Sequence, residues 1–228
     1  MRYIIVGLGN FGASLAIKLS NLGHEVIGLD KRMEKVESLK DKITQAICLD
    51  TTDPEAVRIL PLKETDAVIV AIGEDEGSSI MSTALMKQMK VKRLIGRAVS
   101  KLQTTVLEAM GVTEIVYPEE ESADRLAKSL DLEGVIDSFT VSGSHNIVEV
   151  NVPDRYVGKT IEEVGFRQKY HLNILTILKS TQDTNAIGAK RFIKEVVGVV
   201  TPDTVLKDGD ILVMYGKVKD IKRLLHVD

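Results

Sequence analysis

Gly7-Leu8-Gly9-Asn10-Phe11-Gly12 separates an apolar run, Arg2 to Val6, from a segment in which Phe11, Leu15, Leu19 and Leu22 recur at helical spacing, with Gly23 as the stop. Glu25 to Leu29 forms the next apolar run, and the acidic Asp30 closes it. Strand, glycine turn, helix, strand and acid in this order suit the capture of a pyrophosphate. Gly7 permits the tight turn, Gly9 lets the backbone approach the phosphates, and Gly12 lets helix and strand pack closely. The first turn of the helix offers N–H groups without intrahelical partners and a partial positive charge. Asp30 then stands where a carboxylate would accept hydrogen bonds from ribose hydroxyls.

Positioning these residues requires a doubly wound sheet, and the first half of the chain reads as one. Val36 and Leu39 mark a second helix, Ala46 to Leu49 a third strand, and Asp53-Pro54-Glu55 a capped helix start. Ala67 to Ile72 is a fourth strand ending at Gly73, and Met81, Ala84, Leu85 and Met89 give the next helix its apolar face. Leu94 to Ile95 make a fifth strand, Val106 to Met110 a helix ending at Gly111, and Glu114 to Val116 a sixth strand. The expected fold class is α/β: a Rossmann-like parallel sheet over residues 1–117, followed by a small α+β domain. A crossover helix over 118–134 joins the two, with Ala123, Leu126, Ala127 and Leu130 expected to face inward. Residues 135–228 make the second domain. Its short strand-like runs are separated by turn signals at Ser142-Gly143, Pro153-Asp154, Asn185 and Asp208-Gly209. Ile147 to Val152 alternates apolar and polar residues. Ile161 and Val164 suggest a short helix before Gly165, Leu172 to Leu178 and Ile211 to Tyr215 are strands, and Ile221 to Leu225 is a helix.

Composition excludes several classes of function. The chain has 228 residues, 44% hydrophobic and 28% charged, with a net charge of −3, which argues against nucleic acid as the main partner. Lys190-Arg191 and Lys194 are too few to build a basic face, so a transcriptional repressor that senses NAD(H) through a Rossmann domain lacks its DNA-binding part. The lone Cys48 cannot form an internal disulfide; it is expected to be a small buried apolar residue in a reducing, cytoplasmic protein. No signal peptide and no run of membrane-spanning length are read. The four histidines, His24, His145, His171 and His226, belong to no metal spacing or nucleophile motif. No catalytic residue and no metal ligand set emerges. The chain reads as equipped to hold a nucleotide and not to transform one, which leaves an NAD-dependent oxidoreductase as the alternative.

Taken in order, these motifs resemble a single-unit RCK protein (regulator of potassium conductance), the nucleotide-binding subunit of Trk/Ktr-type potassium uptake systems. The resemblance is carried by the glycine loop, Asp30, Cys48-Leu49-Asp50-Thr51-Thr52-Asp53, Ile69 to Asp75, Ile95-Gly96-Arg97-Ala98 and Val116-Tyr117-Pro118-Glu119. In the second half it is carried by Asn173 to Leu178 and Leu206 to Gly216, which look like an RCK-C domain. The resemblance implies that Gly7, Gly9, Asn10, Phe11 and Gly12 face phosphates and that Asp30 binds the adenosine ribose, with Lys31 or Arg32 near it. It places Asp50 and Thr51 by the adenine, Gly73 beside the nucleotide, Arg97 on the phosphate side, and Glu119 reaching towards the phosphates, directly or through a cation. Many Ktr-type relatives carry arginine between the second and third glycines, where this chain has the neutral Asn10. Trk-type relatives with a neutral residue there favour NAD(H). The implied cofactor is therefore NAD(H) or an adenine nucleotide (ATP, ADP or AMP), with cyclic di-AMP at Phe166 to Ile174 in the RCK-C dimer of some relatives. The implied partners are an integral-membrane potassium-translocating subunit and further copies of the chain, as a homodimer assembling into an octameric ring. The protein would then sit at the inner face of the membrane through its partner.

Overall fold

Ile4-Ile5-Val6 and Ala67–Val70 are short apolar runs with every residue buried, the signature of central strands covered on both faces. In the computed structural model, which describes residues 1–131, 134–184 and 190–225, they become β1 (Arg2–Val6) and the fourth strand of a parallel sheet. Between them lie α1 (Asn10–Asn21), β2 (Glu25–Asp30), α2 (Met33–Glu37), β3 (Gln45–Cys48) and α3 (Pro54–Val57). After β4 (Ala67–Val70) come α4 (Glu76–Gln88), β5 (Leu94–Arg97), α5 (Lys101–Ala109), β6 (Glu114–Val116) and α6 (Pro118–Asp131).

The strand order is β3-β2-β1-β4-β5-β6, so the winding direction reverses between β1 and β4. Register aligns the carboxyl ends of the strands. Val6 pairs with Leu29 and Val70, Asp30 with Cys48, Val70 with Gly96, and Arg97 with Val116. Side-chain alternation then sends Ile5, Val26 and Ile69 to one face, with Ala16 and Val36, and Ile4, Val6, Val68 and Val70 to the other, with Val57 and Met86. Two apolar layers clamp the sheet, and the reversal leaves a crevice at its carboxyl edge.

The chain divides into two units, Met1–Glu120 and Glu121–Asp228. The second contains β7 (Val135–Ser142), β8 (His145–Asn151), α7 (Ile161–Val164), α8 (Phe166–Tyr170), β9 (Asn173–Thr184), β10 (Lys190–Val196), β11 (Asp210–Lys217) and α9 (Val218–Leu225). Among the described residues the strands form one antiparallel sheet, β10-β9-β11-β8-β7. The expected alternation appears in β8, where Asn146, Val148 and Val150 are buried. Val148, Leu212, Met214, Phe166, Leu206 and Ile221 fill the core. A reciprocal cap between Thr160 and Glu163 starts α7, and Gly165 stops it at φ 68°. The turn expected at Asn185 and the residue His226 lie outside the described residues.

Four expectations need correction. Ala123, Leu126, Ala127 and Leu130 of α6 are exposed, because no element among the described residues covers that stripe. The buried side of α4 is Ser79, Ser82, Thr83 and Met86, while Met81 and Ala84 face outward. Leu22 lies beyond α1 and is exposed; the residues of that helix buried against the sheet are Gly12 and Ala16. Cys48 is exposed, since β3 is an edge strand, and its Sγ approaches the Lys31 carbonyl at 3.5 Å.

Candidate functional site

The crevice is a cavity of about 450 Å³ lined by loops that follow five of the strands and by the end of β5. Its lining includes Gly7, Gly9, Asn10, Phe11, Asp30, Lys31, Arg32, Asp50, Thr51, Gly73, Arg97 and Glu119. Of the residues expected to form the site, only Gly12 is outside the lining. It lies behind the loop, where a Cβ would stand 1.9 Å from the Gly7 carbonyl oxygen.

The loop after β1 is held from both sides. Gly7 donates its N–H to the Leu29 carbonyl at 2.7 Å and adopts φ +92°, a left-handed conformation that favours glycine. Leu8 donates its N–H to Asp30 Oδ2 at 2.8 Å, and Arg32 N–H reaches Asp30 Oδ1 at 2.9 Å. Gly9 then opens α1 with φ −68° and ψ −173°, and a Cβ built on it would meet nothing within 4 Å. The space above the first helical turn is therefore open, as a phosphate cradle requires.

Asp30 has a structural role. Its carboxylate satisfies two backbone amides and is buried at 8% exposure. Asp30→Ala therefore reaches the fold as well as the cavity. Removing the acceptor orphans the buried Leu8 amide, which costs roughly 1–3 kcal/mol. We expect Asp30→Ala to lower the urea midpoint by a corresponding amount. Asp30→Asn, whose single amide oxygen can accept from Leu8 while its NH2 faces the Arg32 amide, should recover only part of it. Equal stability of Asp30→Ala and the parent would contradict this role.

Arg97 forms the opposite wall. Nη1 donates to the Ala71 carbonyl at 3.1 Å, Nη2 donates to Glu119 Oε1, and the guanidinium lies 5.7 Å from the Phe11 ring centre. A side chain at Gly73 would strike that guanidinium, its Cβ 2.5 Å from Cζ, so Gly73 leaves room for the arginine. Asp50 accepts from the Thr52 hydroxyl at 2.7 Å and its amide at 2.9 Å; these bonds hold its carboxyl below the usual range. Thr51 is tied down by a 2.7 Å bond to Ser82 on α4.

The sequence reading did not assign Leu29, Leu49, Thr52, Ala71, Ile72, Glu74, Asp75 and Ser78 to the site, and they complete the lining. Asp75 caps α4, accepting from the Ser78 hydroxyl at 2.5 Å and the Ser78 amide at 3.0 Å; these bonds lower its pKa. Both Asp50 and Asp75 therefore contribute stability above the ordinary carboxylate range that is lost only as pH falls through their lower folded values. An acid with a hydroxyl three positions later, just past an apolar strand, was a readable signal for that cap. Two ion pairs complete the rim: Lys31 with Asp75 at 3.7 Å and Arg32 with Glu74 at 3.0 Å.

In the second unit, the Phe166 to Ile174 stretch forms α8 and the start of β9. Phe166 and Leu172 are buried in its core, and the Tyr170 hydroxyl meets that of Tyr156 at 2.6 Å. Among the described residues there is no cluster of three potential metal ligands and no helix long and apolar enough to cross a membrane.

Comparison with known proteins gives this arrangement its context. The TrkA-N domain family matches residues 3–118 and the TrkA-C domain family residues 147–227. Ktr system potassium uptake protein C of Bacillus subtilis is 32% identical over 99% of this chain and 98% of its own length. Ktr system potassium uptake protein A of the same organism is 29% identical over 97% of this chain and 94% of its own. Among solved structures, the GsuK channel bound to NAD superposes with a TM-score of 0.64 at 17% identity. That match covers 100% of this chain and 39% of the channel's, and it supports the fold. The protein belongs to the TrkA-N/TrkA-C family, alongside the Ktr system potassium uptake proteins.

Proposed function

We propose that this chain is a cytoplasmic regulatory subunit that gates a membrane potassium-translocating partner according to the nucleotide in its cleft. Residues 1–117 hold NAD(H) or an adenine nucleotide, 118–134 are the segment that connects the two domains, and 135–228 form the RCK-C domain. The carrying observation is the open space over Gly9 at the sheet's reversal point, flanked by Asp30 on one side and Arg97 on the other. Phosphates lie over the first turn of α1 and against Arg97, while Asp30 takes the ribose hydroxyls. Asn10 supplies no charge, so the loop favours a dinucleotide over a triphosphate. Support for the partner comes from the Ktr system potassium uptake proteins, which align along almost their whole length.

Regulation fits the chemistry of the cleft better than catalysis. A general base working at neutral pH needs a pKa near that pH, and Asp50 and Asp75 are shifted the other way. A bound nucleotide acts only through its different affinities for two shapes of the assembly, with coupling of about 1–3 kcal/mol being typical. The assembly we envisage is a homodimer built up into an octameric ring. The exposed stripe Ala123, Leu126, Ala127 and Leu130 supports contact between copies.

A melting-temperature panel with ATP, ADP, AMP, NAD, NADH and cyclic di-AMP, read together with the native mass, tests this. A ligand at a hundred times its Kd stabilises by about 2.7 kcal/mol, an unmistakable shift. We expect NAD or NADH to give it and the native mass to be a multiple of the chain. A monomer indifferent to every adenosine compound would refute the reading.

A further inference from the structure

Arg32 occupies a position of conflicting chemistry. Its backbone N–H binds Asp30 Oδ1, and its Nε lies 3.6 Å from the same oxygen, so the guanidinium sits beside the carboxylate assigned to the ribose. An arginine near that carboxylate is the group that accommodates a 2′-phosphate in dinucleotide-binding folds. Guanidinium matches phosphate in charge and in the fork of its donors. Here the Arg32 fork is engaged elsewhere: Nη1 reaches Glu74 Oε2 at 3.0 Å, from the loop after β4. Lys31, the other cation past Asp30, is matched in the same way by Asp75. Asp75 is fixed in turn by Ser78.

We propose that Glu74 is a specificity-determining residue, one that disarms Arg32 and so makes the cleft accept a free 2′-hydroxyl and reject a 2′-phosphate. This rests on the reading of the cleft as an adenosine-nucleotide site and adds the discriminating group to it. The acids of the ribose rim, Asp30, Glu74 and Asp75, outnumber Lys31 and Arg32, so an incoming 2′-phosphate meets net repulsion and no uncommitted guanidinium. Asp30 alone would repel it less effectively, because Arg32 could turn from Glu74 to the phosphate and neutralise both. Glu74 acts on the ligand through Arg32 and is in that sense a positioning residue. Its side chain is 71% exposed and among the described residues no other hydrogen bond or ion pair holds it, so replacing it leaves the fold undisturbed.

The test is titration calorimetry of the full chain with NAD and NADP, in the parent, Glu74→Gln, and Glu74→Gln combined with Arg32→Met. The parent should bind NAD and discriminate against NADP. Glu74→Gln should narrow the NADP-to-NAD affinity gap about tenfold, a change of about 1.4 kcal/mol. The gain should shrink as salt is raised, since these groups are exposed. Adding Arg32→Met should restore the original gap. An unchanged gap in Glu74→Gln overturns the proposal while leaving the nucleotide site standing. A gap that narrows equally without Arg32 also overturns it, by reducing the effect to net charge. A parent that binds neither NAD nor any adenine nucleotide removes the cleft reading, and this inference with it.

Discussion

Gly9→Val is expected to reduce nucleotide affinity by at least a hundredfold while leaving the unliganded protein folded. The expectation follows from what the residue touches. Gly9 has φ −68° and ψ −173°, extended backbone open to any residue, and a Cβ there would meet no atom within 4 Å. The fold therefore has no steric objection to a side chain. Gly9 also makes no side-chain cap, so the penalty at the helix start is less than about 1 kcal/mol. That corresponds to a loss of at most roughly 5 °C in melting temperature. The space a valine would fill is the space from which an anion reaches the first-turn amides of α1, and two methyl groups there keep the phosphates out. Calorimetry with NAD, read beside the melting curve without ligand, separates the two effects. Unchanged NAD affinity in a well-folded Gly9→Val protein would remove the phosphates from this loop.

What could be read in the sequence was what local geometry dictates. Gly7, Gly9 and Asp30 are identifiable because a turn, an open helix start and a strand-end acid each constrain residue type within a few positions. The doubly wound sheet was legible for the same reason: β1 and β4 are buried on both faces and so are apolar throughout. The inner side of α4 was not. Ser79, Ser82 and Thr83 are buried there because the fold supplies partners: Thr51 for Ser82, Gln103 for Ser79, and the Ser79 carbonyl for Thr83. A pattern of apolar residues cannot register a polar seam satisfied by other segments and by the helix's own backbone. Glu74 and Asp75, within the Ile69 to Asp75 segment, were not assigned to the site, since their partners Arg32 and Lys31 lie on another loop and meet them only once β2 and β4 flank β1. In the second unit, β10 was unread and β9 runs past the expected end at Leu178. Of the β10 residues whose side chains are described, all are exposed, so apolar alternation gave little signal there.

Gly12→Ala should do the reverse of Gly9→Val and disable the fold along with the site. The added methyl would stand 1.9 Å from the Gly7 carbonyl oxygen, 3.1 Å from the Gly7 carbonyl carbon and 3.2 Å from the Ala71 Cβ. None of these can swing aside. The Gly7 oxygen belongs to a turn whose N–H is bonded to Leu29, and Ala71 is bonded through its N–H to Val6. Relief requires α1 to move away from the sheet, opening the layer that Ala16, Ile5 and Ile69 fill. Overpacking of a well-filled core costs about 1–3 kcal/mol and sometimes more. With backbone as the obstacle, we place Gly12→Ala at the upper end, about 3 kcal/mol. Urea denaturation followed by circular dichroism should show the midpoint falling accordingly, and NAD should bind weakly because the displaced helix start no longer aims its amides into the cavity. Gly9→Ala is the matched control: the same methyl, three residues earlier, should leave the midpoint almost unmoved. If Gly12→Ala unfolds at the parent midpoint, the close approach of helix and strand behind the loop is not what fixes the cradle.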